Sequence, residues 1–325
     1  MKALVYTNTM ETEFRDEADA VALEGETVVD LSHCGICGSD MHAWHGHDER
    51  RIPPLILGHE AVGIARTGRF AGKRVALNPL MTCGTCSLCT SGNEHLCSAR
   101  ELIGMRVPGA FAQAVAIRDQ NLFPIPDHLS FDEAALAEPL AVCVHAAKLG
   151  LARTGTQNVS AVVLGGGAIG LLTALVLNQY GITDVQIAET NELRRKMLAE
   201  VTRARPYNPI DETPKGTIDL VLDCVGAGIT RKASCDMVRP GGTIIHVGLQ
   251  DNAEGINTRR LTLQEIAFIG TYCYTNADFQ EALDLLADGR ISRQGWSEIR
   301  PLSQGGSGFE DIHNGRAVPK IILEI

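Results

Sequence analysis

Ala161-Val162-Val163-Leu164-Gly165-Gly166-Gly167-Ala168-Ile169-Gly170-Leu171-Leu172 carries the decision about the fold. An apolar run of strand character leads into clustered glycines, and an apolar run of helix formers follows. Gly165, Gly167 and Gly170 stand at the spacing that permits a tight turn, close approach of a pyrophosphate, and close packing of helix on strand. Ala168 and Ile169 then open the helix, whose first N–H groups and positive dipole end would face the phosphates. A glycine triplet alone is weak evidence; its strand–turn–helix setting makes it specific. Glu189 closes the next apolar run, 19 residues beyond Gly170. A carboxylate there can bind both ribose hydroxyls and would repel a 2′-phosphate, so NAD is expected and NADP disfavoured. Arg194, Arg195 and Lys196 pull the other way, since one of them could swing toward a phosphate. A solvated helix face is the preferred reading for the three, and Arg194 stays among the candidate cofactor contacts.

Working outward, apolar strands at 160–164, 185–188, 219–222, 243–247 and 267–269 alternate with helices at 170–177 and near 192–201. Such alternation means crossover connections and a parallel sheet covered on both faces. Cys224-Val225-Gly226 and Val247-Gly248-Leu249 end two of these strands at the carboxyl edge, where a doubly wound sheet binds its ligand. Residues 1 to about 138 read differently, with Gly, Pro and short β-branched runs such as 26–31 and 73–77. They suggest an irregular β-rich domain. An amphipathic helix at 276–288 uses Phe279, Leu283, Leu285 and Leu286 as its apolar side, and 318–325 reads as a strand returning to the first domain. The 325 residues exceed what one core usually supports. Two domains follow: 1–138 with 271–325, and 139–270 between them.

Lys and Arg total 29 against 39 Asp and Glu, a net charge of −10, which argues against nucleic acid or an anionic membrane as partner. No run of 18 apolar residues occurs and no signal-peptide core forms at the start, so a cytoplasmic protein is expected. Ten cysteines in a reducing compartment point to metal rather than disulfides. Cys83-x2-Cys86-x2-Cys89-x7-Cys97 lies among Gly84, Gly92 and Asn93 and so reads as a loop. Four thiolates close a tetrahedral shell and leave no place for substrate, which marks a structural zinc. Cys34, Cys143, Cys224, Cys235 and Cys273 lie in apolar surroundings and read as small buried thiols.

A second constellation is spread out: Cys37, Ser39, Asp40 and His42 in one segment, Gly58-His59-Glu60 in another, and Glu138-Pro139-Leu140 at the domain junction. A catalytic zinc needs about three protein ligands and an open position. Cys37, His59 and Glu138 offer a thiolate, an imidazole and a carboxylate, though spacing alone does not group them.

At these residues the chain resembles the zinc-containing medium-chain dehydrogenases, and their polyol branch (sorbitol, threonine and galactitol-phosphate dehydrogenases) more than the ethanol branch. The resemblance covers nearly the whole chain. It rests on Gly35-Ile36-Cys37-Gly38-Ser39-Asp40, Gly58-His59-Glu60, the four-cysteine loop, Gly109-Ala110-Phe111-Ala112, Glu138-Pro139-Leu140 and the glycine loop. It implies an α/β protein, a Rossmann doubly wound parallel sheet joined to a β-rich GroES-like catalytic domain. It implies two zinc ions per chain, a catalytic one on Cys37 and His59 with Glu60 or Glu138 completing the shell directly or through water, and a structural one on Cys83, Cys86, Cys89 and Cys97. Glu138 stands where the ethanol branch has a cysteine, which points toward polyols. Asp40 would fix the His59 imidazole.

The resemblance also implies hydride transfer between a secondary alcohol or polyol and NAD, with the active site in the interdomain cleft. Ser39 matches a hydroxyl beside the zinc, and His42 a position that can pass protons to solvent or hydrogen-bond cofactor or backbone instead; in the polyol branch zinc-bound water with a glutamate is the alternative carrier, which makes Glu60 a third catalytic candidate. Cys224, Val225, Val247 and Gly248 would flank the adenosine and nicotinamide ends, with Tyr272 near the nicotinamide. Trp44 and Phe111 are candidate pocket walls, with core packing the stronger reading for Phe111. His45 and His47 read as solvated loop histidines. The segments 63–73 and 201–219 are shorter than the family norm. A homodimer or homotetramer is expected. The alternatives are a sugar or keto-sugar phosphate reductase, for which Arg50, Arg51 and Arg106 are the local basic candidates, and a non-catalytic NAD-binding sensor.

Overall fold

Strand Ser160–Leu164, four of whose five residues are buried, lies inside a six-stranded sheet. The computed structural model describes residues 1–325, and the chain divides into two units. The second unit, Leu140–Tyr274 with Gln294–Trp296, contains that sheet. Its strands run in the order Arg205–Tyr207, Asp184–Ala188, Ser160–Leu164, Ile218–Asp223, Val238–His246, Ala267–Gly270, and every pairing is parallel. Numbered from the first strand along the chain this is 3-2-1-4-5-6, the doubly wound order with its reversal beside the first strand. Helices Ala168–Gln179, Glu192–Val201 and Gly228–Met237 make the crossovers.

The five expected strands are present within a few residues of the expected bounds. The sixth, Arg205–Tyr207, was not expected. It has three residues and contains Pro206, which offers no N–H, and it sits at the sheet edge where such a residue is tolerated.

The first unit comprises Met1–Pro139, Thr275–Arg293 and Ser297–Ile325. Its main sheet runs Leu122–Pro124, Arg74–Leu77, Glu60–Ala65, Glu26–Gly35, Lys320–Glu324, Ser297–Pro301. Ala114–Arg118 also pairs with Glu26–Gly35, against its first half, while Lys320–Glu324 pairs with its last residues. The expected C-terminal strand is therefore an interior strand of the first unit. Trp44, Leu57, Phe111 and Phe309 are buried in that unit's core. The chain crosses between units after Pro139 and after Tyr274, against expected breaks after 138 and 270, and Gln294–Trp296 falls with the second unit.

Gly63 lies on the Glu60–Ala65 strand opposite Leu31, beside a register shift in its partner. A Cβ added there would collide with the Asp30 carbonyl oxygen. Gly63→Val is expected to destabilise the protein by about 1–3 kcal/mol through this overpacking. A calorimetric melting temperature equal to the parent's would show that the strand can shift to accept it.

Candidate functional site

Register brings the first set of residues together. Gly35 pairs with Glu60 and Ile322 pairs with Gly35, both antiparallel. Cys37, two residues past Gly35, therefore shares one end of the sheet with His59, one residue before the Glu60 pairing, and with Lys320. Cys37 then caps the helix Gly38–Trp44: its Sγ accepts from Ser39 N at 3.5 Å, and Asp40 Oδ2 accepts from Cys37 N at 3.0 Å. The cap turns Asp40 inward, where its Oδ1 stands 3.4 Å from His59 Nδ1 and accepts from Gly58 N at 3.4 Å. The other ring nitrogen, Nε2, stands 3.4 Å from Ser39 Oγ.

Ligand atoms of Cys37, His59 and Glu60 lie within 4.8 Å of one another. Burial would lower the His59 imidazole, but the charges of Asp40 and Cys37 raise it well above its ordinary value. Burial would raise Asp40, and His59 and Arg51 hold it below the usual carboxylate range. A half-buried thiol beside a buried imidazole and a buried carboxylate fits a divalent cation. Glu138, buried at the start of helix Ala137–Thr154, is outside the 4.8 Å group, although its charge acts on Lys320.

Lys320 is the residue that sequence reasoning missed. Its Nζ donates to Glu60 Oε2 at 2.6 Å, to Glu60 Oε1 at 2.8 Å and to Ile36 O at 2.9 Å, and its side chain is only 3% exposed. Burial would lower its pKa, yet the charges of Glu60, Cys37 and Glu138 hold it above the ordinary lysine value. Gly35 makes room for this arrangement, since a Cβ there would collide with Glu60 Oε2. No local pattern signals the pair, because its members are 260 residues apart.

Arg51 was a candidate for substrate phosphate; the structure corrects that. It is buried and donates to Ser39 O at 2.9 Å, Gly104 O at 2.8 Å, Asp48 Oδ2 at 3.0 Å and Ser39 Oγ at 3.3 Å. Arg50 also pairs with Asp48, and Arg106 is exposed, so no basic cluster forms from the three. Trp44 and Phe111 are likewise placed in the core rather than on a wall. They are 3% and 1% exposed, and both pack against Phe309 from the C-terminal helix Gly305–His313. His42 is half-buried in the last turn of Gly38–Trp44, and burial, then the neighbouring His47, lowers its pKa.

The four-cysteine loop is a second metal-ready cluster in the same unit. Its four Sγ atoms lie within 4.8 Å of one another, with Cys83–Cys89 at 3.8 Å and Cys86–Cys89 at 3.5 Å. Tetrahedral thiolates at ~2.3 Å from zinc stand about 3.8 Å apart, so the spacing fits. Backbone N–H groups of Thr85 and Cys86 draw the Cys83 thiol down to about 5.

In the second unit the glycine loop takes the form that its spacing implies. Gly165 has φ +95°, and a Cβ there would lie 2.6 Å from Val225 Cγ2. A Cβ on Gly170 would strike the Gly165 carbonyl, so helix and turn can touch only without it. Gly167 caps helix Ala168–Gln179 without a side-chain hydrogen bond, and a Cβ there would meet nothing within 4 Å. An uncapped helix start opening on free space is a fitting cradle for a pyrophosphate. Glu189 joins it: Oε2 accepts from Gly166 N at 2.8 Å, which leaves that oxygen a further lone pair, and Oε1 accepts from Asn191 N at 2.7 Å and Thr190 Oγ1 at 3.5 Å. Arg195 is committed to the carbonyls of Glu189 and Thr190, whereas Arg194 Nε is buried without a hydrogen-bond partner. Cys224-Val225 and Val247-Gly248 follow the carboxyl ends of their strands, and Gly248 touches Val225 and Gly226. Tyr272, half-buried, follows the edge strand Ala267–Gly270.

Breaking a buried ion pair by removing one partner costs about 3–5 kcal/mol. Lys320→Met is expected to show such a loss in denaturant unfolding, and adding Glu60→Gln should recover part of it. Equal stability of Lys320→Met and the parent would show that Glu60 is satisfied without the lysine.

The family described as "Alcohol dehydrogenase GroES-like domain" matches residues 23–127, and the one described as "Zinc-binding dehydrogenase" matches residues 168–288. A 2-dehydro-3-deoxy-L-galactonate 5-dehydrogenase of Pseudoalteromonas atlantica is 30% identical over 326 residues, 95% of this chain and 94% of that protein. A sorbitol dehydrogenase of Bacillus subtilis is 32% identical over 312 residues, 90% of this chain and 87% of that protein. The crystal structure of a zinc-binding dehydrogenase from Sinorhizobium meliloti, bound to NADP, superposes with a TM-score of 0.89 at 27% identity. It covers 100% of this chain and 99% of that one.

Proposed function

The chain belongs to the zinc-binding alcohol dehydrogenase family, and on that premise we propose that it oxidises a secondary alcohol or polyol with NAD as hydride acceptor. The observation that carries this reading is the gathering of Cys37, His59 and Glu60 within 4.8 Å, beside the Ser39 hydroxyl. Zinc, when bound there, supplies Lewis acidity toward an alcohol oxygen, and NAD supplies the hydride acceptor.

The chain's own residues do the rest. Asp40 turns the His59 ring so that Nε2, beside Ser39, is the ligating nitrogen. Arg51 donates to Ser39 Oγ, which leaves the hydroxyl's own proton to hand on as it takes one from the alcohol. His42 is kept neutral near pH 7, chiefly by burial, and is the acceptor we assign to that proton. Glu60, already bonded to Lys320, or Glu138 completes the ligand set. Cys83, Cys86, Cys89 and Cys97 hold a second, structural zinc. Gly165, Gly167, Ala168, Ile169 and Gly170 receive the pyrophosphate, and Glu189 receives the ribose hydroxyls. We take Cys224, Val225, Val247, Gly248 and Tyr272 as further cofactor contacts.

Ten free thiols suit a reducing cytoplasm, and no helix is long and apolar enough to cross a membrane. A homodimer or homotetramer belongs to the same reading and is checked by light scattering. The phosphate-substrate alternative loses its support with Arg50 and Arg51 committed to Asp48.

NADH formation should be measured over polyols, sugar alcohols, their phosphates and simple secondary alcohols, before and after chelation and zinc return. Zinc-restored turnover on one class is expected. Zinc-replete, NAD-binding protein without turnover on any class would overturn the reading. Cys37→Ser should abolish turnover while NAD binding, followed by calorimetry, is retained; retained turnover would remove Cys37 from the catalytic set.

Glu189→Gln tests the cofactor choice. Hydrogen bonds to a charged group contribute about 1.5–3 kcal/mol, so kcat/KM for NAD should fall roughly 10–150-fold while that for NADP rises. Unchanged discrimination between the two cofactors would show that Glu189 does not read the ribose.

A further inference from the structure

Three histidines of the first unit stand together outside the set described above. His45 and His47 flank Gly46 just beyond helix Gly38–Trp44, and His313 is the last residue of helix Gly305–His313. His45 Nε2 lies 3.0 Å from His313 Nδ1, with the ring centroids 5.0 Å apart. The His47 ring lies 5.7 Å from that of His45. His45 and His47, read from sequence as solvated loop histidines, are held in place with His313 by what surrounds them. Trp44, buried, lies 5.2 Å from the His45 ring and 5.7 Å from the His313 ring. Backbone bonds from His45 N to Met41 O, Gly46 N to Ala43 O and His47 N to His42 O fix the turn, which Gly46 makes at φ +74°.

We propose that His45 and His313 form a two-histidine surface site for a borderline divalent metal ion of the Zn2+ or Ni2+ type, separate from the two cysteine-bearing clusters. Two imidazole nitrogens at ~2.0–2.1 Å from one tetrahedral ion stand about 3.3–3.4 Å apart. The 3.0 Å between His45 and His313 needs only a few tenths of an ångström of opening. The ring centroids of such a pair would be about 5.1 Å apart, against the 5.0 Å observed. Imidazole suits Zn2+, Ni2+ and Cu2+, whereas Mg2+ and Ca2+ prefer oxygen. Ligating histidines must be neutral, and here burial and the neighbouring His313, His47 and His42 lower the pKa of His45.

The site would join the far end of the helix capped by Cys37 to the C-terminal helix Gly305–His313. An ion there would hold the segment that carries Cys37 and Ser39 from the side opposite its cap. This role is independent of the identity of the alcohol.

The test uses tag-free, zinc-loaded protein dialysed against Ni2+, with both metals counted by mass spectrometry and Trp44 emission followed in parallel. One Ni2+ per chain is expected without loss of zinc, together with quenching of part of the tryptophan emission. His45→Gln and His313→Gln should each weaken Ni2+ binding about tenfold or more, with zinc content and melting temperature unchanged. No Ni2+ uptake by the parent, or equal uptake by the His45→Gln/His313→Gln double variant, would overturn the site.

Discussion

The ammonium of Lys320, bonded to both oxygens of Glu60 with both side chains almost fully buried, is the constraint on which the first unit turns. Neither charge could stay buried alone, because each would forfeit hydration worth several kcal/mol with nothing to replace it. Three strands must therefore meet in one register: Glu26–Gly35, Glu60–Ala65 and Lys320–Glu324. Gly35 has to lack a side chain so that the Glu60 carboxylate can lie against the sheet. Cys37 and His59 inherit their proximity from that register. The pair also keeps a carboxylate beside the thiol and imidazole without leaving it uncompensated when no cation is there.

The second unit obtains its binding surface by the opposite means. Its glycine loop offers backbone N–H groups and space, with no buried ion pair at its centre. Gly170 against the Gly165 carbonyl and Gly165 against Val225 are steric conditions that one added methyl group would violate. Glu189 is the one charge brought to the loop, and it is already stabilised by two backbone donors. A charge so satisfied is rigid, and a rigid acceptor discriminates between a hydroxyl and a phosphate better than a mobile one.

How far these features were legible depends on the sequence distance over which each acts. The glycine loop and the four cysteines are local, spanning few residues, so spacing alone exposes them. The doubly wound sheet is nearly as legible, because buried parallel strands read as apolar runs; the exception, Arg205–Tyr207, is short, contains Pro206 and lies at the edge. Cys37 and His59 could be grouped only by resemblance, since the register that unites them is tertiary. Lys320 and Arg51 were beyond reach for the same reason. A lysine at position 320 carries no local signal, and an arginine in a loop reads as a candidate for a substrate phosphate, until the fold places their partners on them. Trp44 stood as a candidate pocket wall, and core packing was the stronger reading for Phe111; nothing local reveals that Phe309 covers both.

Splitting the first unit around an inserted second one looks costly, yet the entropy of loop closure rises only with the logarithm of length. For a flexible connection of the 135 residues between Pro139 and Thr275 it would be about 4 kcal/mol. An insert that folds on its own core reduces the loss further, because its ends are then held rather than free. The returning segment gives back more than that. It adds the strand Lys320–Glu324, the counter-ion of Glu60 and the Phe309 ring over Trp44 and Phe111. Each of these acts on the segment around Cys37 and His59 that the first 65 residues supply but do not complete. The Cys37–His59–Glu60 cluster is thus encoded early in the chain, and residues 302–324 complete its surroundings.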